Sequence, residues 1–126
     1  MKPLEILNQW MRAVNSGDVE MLLSLYGSKA VLIPTFSNRI LDTPDKIRDY
    51  FEKLSTREDL SIALHEKTVS VVEYDGKYCS VNGIYNWRFK VDGEILNFEA
   101  RFSYLLDAAA SNPIIHHHSS QVPRML

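Results

Sequence analysis

The chain has 126 residues, a net charge of −2, 45% hydrophobic residues and 24% charged residues, the balance of one globular domain that buries roughly two thirds of its unfolded surface. The near-neutral charge without a basic stripe speaks against a nucleic-acid partner, and no window approaches the ~20 apolar residues of a membrane span. The single cysteine, Cys79, offers neither a disulfide nor a zinc spacing, and Met1-Lys2-Pro3-Leu4-Glu5 is no secretory signal, so a cytoplasmic location is the default expectation.

Leu4, Leu7, Met11 and Val14, with Trp10 beside them, recur at helical spacing and predict an amphipathic first helix ended by Asn15-Ser16-Gly17. Asp18 is a plausible cap for a short second helix carrying Leu22, Leu23 and Tyr26. Ala30 to Ile33, closed by Pro34, suits a strand near a sheet edge. Thr43-Pro44 is a helix start, and Ile47, Tyr50, Phe51 and Leu54 mark the buried stripe of the third helix.

From about Leu60 the period changes to two, predicting four long antiparallel strands. Asp75-Gly76 and Asp92-Gly93 read as tight turns, and Asp107 to Asn112 as a looser one. If Asp92 and Gly93 form the loop, Trp87 opposes Phe98, Tyr85 opposes Ala100, Gly83 opposes Phe102 and Val81 opposes Tyr104. One face of that hairpin is then apolar, while the other carries Asn82, Asn86, Arg88, Asn97, Glu99, Arg101 and Ser103. The expected fold is α+β, one domain over residues 1–126.

The last strand holds three of the four histidines, in Ile114-Ile115-His116-His117-His118-Ser119-Ser120-Gln121-Val122-Pro123. His-rich runs before Ser-Ser and Val-Pro-Arg also occur in purification tags. The lead-in Asn112-Pro113-Ile114-Ile115 reads as a strand entering from a turn, so the segment is taken as part of the fold. Alternation puts His116, His118 and Ser120 on one side and His117 and Ser119 on the other.

These residues, together with Trp10…Asn15-Ser16-Gly17-Asp18, Leu25-Tyr26, Val31-Leu32-Ile33-Pro34-Thr35, Tyr50-Phe51 and Ala100-Arg101-Phe102, resemble the association domain of calcium/calmodulin-dependent protein kinase II. They are also similar to its bacterial stand-alone relatives of the SgcJ/EcaC type. The order of elements resembles the nuclear transport factor 2-like, or SnoaL-like, cone. That resemblance implies three N-terminal helices packed on a curved antiparallel sheet, oligomerisation through the sheet, and a deep polar pocket containing arginines. Aligned through His118 and Pro123, Ser119 falls where the family can have a pocket arginine. Arg101 falls on a second, with two extra residues in the preceding loop, and Asn86 replaces a third. Ala109-Ala110-Ser111-Asn112 stands where the family usually has a Gly-Lys-Trp-like entry. No kinase loop is present: there is no Gly-rich phosphate loop, HRD or DFG sequence.

Two functions follow as expectations. The first is a non-catalytic homodimeric or larger association domain that binds an unknown small polar or anionic ligand through Arg101, His117, Ser119, Asn86, Tyr85 and His118. If Arg101 lines the concave pocket, the opposite face, with Trp87, Phe98, Phe102 and Tyr104, becomes the dimer interface. The second is a small isomerase, dehydratase or cyclase with His117 as general base and Arg101 or Tyr85 as donor. No cofactor is expected. Nor is a metal, because His116 and His118 share a face without a third ligand. Thr35, Ser37 and Arg39 read as an exposed loop, and the bacterial relatives place such a stretch near the mouth of the cone. Tyr50 and Phe51 read as core, His65 as structural and Asp18 as a cap.

Overall fold

The computed structural model describes residues 1–126. Three helices, α1 (Pro3–Ser16), α2 (Val19–Leu25) and α3 (Pro44–Leu54), cover one side of a six-stranded sheet. The strands are β1 (Tyr26–Ile33), β2 (Ser61–Leu64), β3 (Ser70–Glu73), β4 (Tyr78–Val91), β5 (Glu94–Asp107) and β6 (Ile114–Gln121). Their order is β1-β6-β5-β4-β2, with β3 also pairing β4. The α+β fold with three helices on a curved sheet therefore stands. No helix is long and apolar enough to cross a membrane.

Local chemistry sets the helix ends. Gly17 adopts a left-handed φ of 68°, and the N–H groups of Gly17 and Asp18 return to the carbonyls of Val14 and Ala13, closing α1. The Asp18 side chain accepts the Met21 N–H at 3.0 Å, and Thr43 accepts the Lys46 N–H at 3.3 Å. Asn15 does more than end a helix. Its amide donates to the Ile62 carbonyl at 3.0 Å and accepts the Ile62 N–H at 2.8 Å, imitating a strand partner for the sheet edge. On α1 the buried stripe is Ile6, Leu7, Trp10, Met11, Ala13 and Val14, while Leu4 stays 48% exposed. Tyr26, expected on α2, is instead the first residue of β1.

The second hairpin has the register read from its turn: Trp87 opposes Phe98, Tyr85 opposes Ala100, Gly83 opposes Phe102 and Val81 opposes Tyr104. Asp92 and Gly93 both adopt positive φ, 51° and 82°. At the first hairpin only Gly76 does, and the Tyr74 N–H bonds to the Tyr78 carbonyl around a wider loop. The His-rich segment is no appendage. As β6 it lies between β1 and β5, pairing Leu32 with His117 on one side and Tyr104 with His117 on the other.

Two expectations about the sheet are corrected. β1 runs parallel to β6, so the sheet is mixed rather than wholly antiparallel. The strand expected after Leu60 is two four-residue pieces, β2 and β3, separated by the short 3-10 helix Glu66–Thr68. Both pieces pair with β4, at Tyr85–Arg88 and Cys79–Asn82. Between them the Thr68 hydroxyl takes the Ile84 N–H at 2.8 Å, replacing a ladder bond.

Gly83 sits where this crossing meets the core. A Cβ there would lie 3.0 Å from Cζ of the buried Phe102 and 3.2 Å from the Thr68 hydroxyl. We expect Gly83→Ala to cost about 1–3 kcal/mol by overpacking, measured by urea unfolding; an unchanged midpoint would contradict this placement.

Candidate functional site

The alternation of β4, β5 and β6 decides what each residue can reach. Val81, Tyr85, Trp87, Ala100, Phe102 and Tyr104 are buried with the helices in one core, so the apolar face is the inner face. This corrects the expected dimer interface: Trp87, Phe102 and Tyr104 are 2%, 3% and 2% exposed and packed, and Phe98 stacks on Phe89 at the inner edge. Arg101 lies on the opposite, helix-free face, exposed. Arg101 and His118 therefore do not share a pocket with His117, Ser119 and Tyr85. The expected site is divided between the two faces of the sheet.

His117 and Ser119 are the only polar side chains in the buried set besides tyrosine and tryptophan. Tyr26 Oη lies 2.8 Å from His117 Nδ1, Tyr85 Oη lies 3.2 Å from Nε2, and Trp10 Nε1–H donates to Tyr26 Oη at 3.0 Å. Satisfying every proton fixes the direction of this chain. Indole nitrogen can only donate, so Tyr26 accepts from Trp10 and gives its own proton to Nδ1. His117 is then the Nε2–H tautomer and donates to Tyr85, whose hydroxyl faces the same small space as Ser119 and Thr35. Thr35 and Ser119 themselves are linked at 2.5 Å. The imidazole stacks on Tyr104 at 3.9 Å and meets Trp10 edge-on at 5.3 Å.

Burial holds the His117 pKa well below the ordinary imidazole value, with His116 and His118 adding to the effect. The same burial pushes the Tyr26, Tyr85 and Tyr104 hydroxyls up. Every member of the chain is thus neutral, with both ring nitrogens of His117 occupied. The space beside His117, Tyr85 and Ser119 amounts to about 10 Å³, room for no more than a water molecule. A base in this position has no substrate to meet in this conformation. Tyr104 Oη and Trp87 Nε1 are buried without partners, each costing about 1–3 kcal/mol.

On the outer face, Arg101, Ser103, His118 and Ser120 border a shallow depression of about 300 Å³. His118 Nε2 and Ser120 Oγ are 2.8 Å apart, and Asn86 donates to Asn97 at 2.9 Å. His65 Nδ1 is 4.0 Å from Glu99 Oε2. No three His, Cys, Asp or Glu side chains converge as metal ligands would.

A third space, about 610 Å³, opens on the helix side between the loop after β1, α3 and the end of β4. Ser37 and Arg39 of the expected rim stretch border it, whereas Thr35 turns inward to Ser119. Tyr50, read as core, is half-buried and forms part of its wall. Arg57 and Phe89, which the sequence did not mark, complete it. Lys46 and Lys53, two turns apart on α3, also border it.

The depressed His117 pKa has a measurable consequence. Because the unfolded chain binds this proton more readily, stability is full above about pH 6.5 and declines as pH falls. The slope approaches ~1.4 kcal/mol per pH unit from this residue. Glu20 and Asp42, whose pKa values are lowered by the hydrogen bonds and charges of Arg48 and Lys46, act only at more acidic pH. His117→Gln should lose about 1–3 kcal/mol at neutral pH and flatten the profile between about pH 7 and pH 5. Urea titrations across that range check this; an equally steep profile in the variant would contradict the assignment.

Comparison with known proteins agrees with this architecture. The family model described as SnoaL-like domain matches residues 4–125. A Xanthomonas campestris structure, provisionally named a calcium/calmodulin dependent protein kinase II association domain, is 24% identical with a TM-score of 0.85, covering 97% of this chain and 86% of that one. A ketosteroid isomerase-like protein from Erwinia carotovora atroseptica is 13% identical with a TM-score of 0.75, over 96% and 94% of the two chains. A nuclear transport factor 2-like superfamily protein from Salmonella enterica serovar Typhimurium is 14% identical with a TM-score of 0.80, over 97% and 89%. No curated protein matches the sequence. At these identities the structures speak for the fold, which association-type and enzyme-type proteins share. With the family model spanning nearly all of it, the chain belongs to the SnoaL-like domain family.

Proposed function

We propose that this domain is a non-catalytic association domain that pairs two copies through the outer face of the sheet. The observation that carries the proposal is that all three helices pack on the inner face, leaving the outer side of the two 14-residue strands β4 and β5, with β6, uncovered. Strand rise and spacing give that side an area on the order of 700 Å², close to the ~800 Å² per partner of a stable interface. Half-buried Val31, Ile33, Ile84 and Leu105 sit on it among asparagines and serines. Arg88 and Arg101 stand on this face with Glu99, so charges of both signs are present for a twofold contact to pair. Asn86 Oδ1, on the same face, is buried without a hydrogen-bond partner.

The filled interior weighs against the isomerase-like alternative. Proton abstraction beside a carbonyl needs a base open to substrate, and here the buried imidazole is enclosed by tyrosines with no carboxylate among the buried side chains. The name of the Xanthomonas relative favours association. On this reading Arg101, His118 and Asn86 belong to the subunit contact, the role first expected of the opposite face.

Light scattering on a sizing column should give about twice the 14.5 kDa chain mass at micromolar concentration. Ser103→Lys, beside Arg101 at the centre of β5, should halve that mass while thermal unfolding stays cooperative. A wild-type monomer, or a variant that stays paired, would overturn the proposal.

A further inference from the structure

We infer that the cleft between α3, the loop after β1 and the end of β4 is a binding site for a small organic acid with a flat apolar body, such as an aryl carboxylate. Its volume of about 610 Å³ falls within the range of small-molecule sites. The floor is aromatic: Phe36 meets Phe89 edge-on at 5.2 Å, and the Tyr50 hydroxyl accepts the Phe36 N–H at 3.4 Å. Phe36 also packs edge-on against Trp87 at 5.5 Å, so the floor rests on the closed interior and is rigid. A planar ring has aromatic faces and edges to lie against here.

The charge around this floor is one-sided. Arg39, Lys46, Lys53 and Arg57 border the cleft with one carboxylate, Asp49, in a chain whose net charge is −2. Two of the cations are engaged: Lys46 with Asp42 at 2.9 Å and Lys53 with Asp49 at 3.0 Å. Arg39 and Arg57 take part in no ion pair. The carboxylates that follow Arg57 in the chain, Glu58 and Asp59, are drawn to Lys90, each 3.5 Å from its Nζ.

Arg57 does not swing free. Its guanidinium lies 4.9 Å over the Phe89 ring, which keeps the forked donors at the edge of the apolar floor. On the other wall, the Arg39 N–H bonds to Ser37 Oγ at 3.1 Å, tying that backbone into the loop. Two unpaired guanidinium groups beside an aromatic floor match an anion joined to a ring better than a free inorganic anion, which would leave the floor unused. The cleft lies on the helix side of the sheet, away from the proposed subunit contact, so this site does not depend on pairing.

The test is an NMR titration of the full chain with 1-naphthoate, using neutral 1-naphthalenemethanol as comparator. Saturable shifts should gather at Phe36, Tyr50 and Phe89. The neutral comparator, and the double variant Arg39→Gln/Arg57→Gln with naphthoate, should each bind about tenfold or more weakly, the loss expected for a charge-assisted hydrogen bond. Both arginines are exposed and outside any ion pair, so the variant loses at most the Arg57–Phe89 stacking and should still unfold cooperatively, within a few degrees of wild type. No saturable shift at millimolar naphthoate, equal affinity in the double variant, or shifts confined to Arg101 and His118 would each overturn the inference. The paired or single state of the protein is read from its mass and is unaffected by any of these outcomes.

Discussion

The hydrogen-bonded chain from Trp10 through Tyr26 and His117 to Tyr85 links α1, β1, β4 and β6 through one imidazole. Each of these elements contributes a polar group that could not be buried alone without about 1–3 kcal/mol of loss. Together they satisfy one another, and the surrounding aromatic rings close over them. Because both nitrogens of His117 are occupied, the interior of the cone is a structural joint. The larger open spaces lie on the outer face and at the mouth.

That division follows from the two-residue period of the strands. β6 sends His117 and Ser119 inward and His116, His118 and Ser120 outward, and β5 sends Phe102 and Tyr104 inward and Arg101 outward. A histidine beside another histidine thus has the opposite environment: one is a neutral core group, the other a solvent-facing side chain bonded to Ser120. Family resemblance brings Arg101 and His117 toward one pocket; the pleat keeps them apart.

Much of the fold was legible. The Asp92-Gly93 turn set the register of β4 and β5, the caps Asp18 and Thr43 set the helix starts, and Pro34 marked the edge position of β1. The break between β2 and β3 was not, because it is imposed by β4: Thr68 reaches across to Ile84, and Gly83 leaves the room. The parallel pairing of β1 is likewise set by where β6 lies, which no local pattern of either strand contains. For the site, alternation sorted the residues onto the correct faces, and the apolar face of the hairpin is the core, as hydrophobic burial alone would choose. The expected contact residues Trp87, Phe102 and Tyr104 are core, because that expectation followed Arg101 rather than the burial of Trp87. Of the mouth cleft only the Ser37–Arg39 rim was foreseen, because Arg57 and Phe89 come from separate elements.

A closed interior makes His117 the most informative atom group in the molecule, and nitrogen NMR of a histidine-labelled sample reads it directly. From about pH 8 down to about pH 5 its Nδ1 should keep the shift of an unprotonated nitrogen and its Nε2 that of an N–H, since proton uptake there would have to break the bond to Tyr26. A His117 ring that instead gains its proton close to neutral pH would mean that water and solutes reach it, and the cone would have to be regarded as an open pocket.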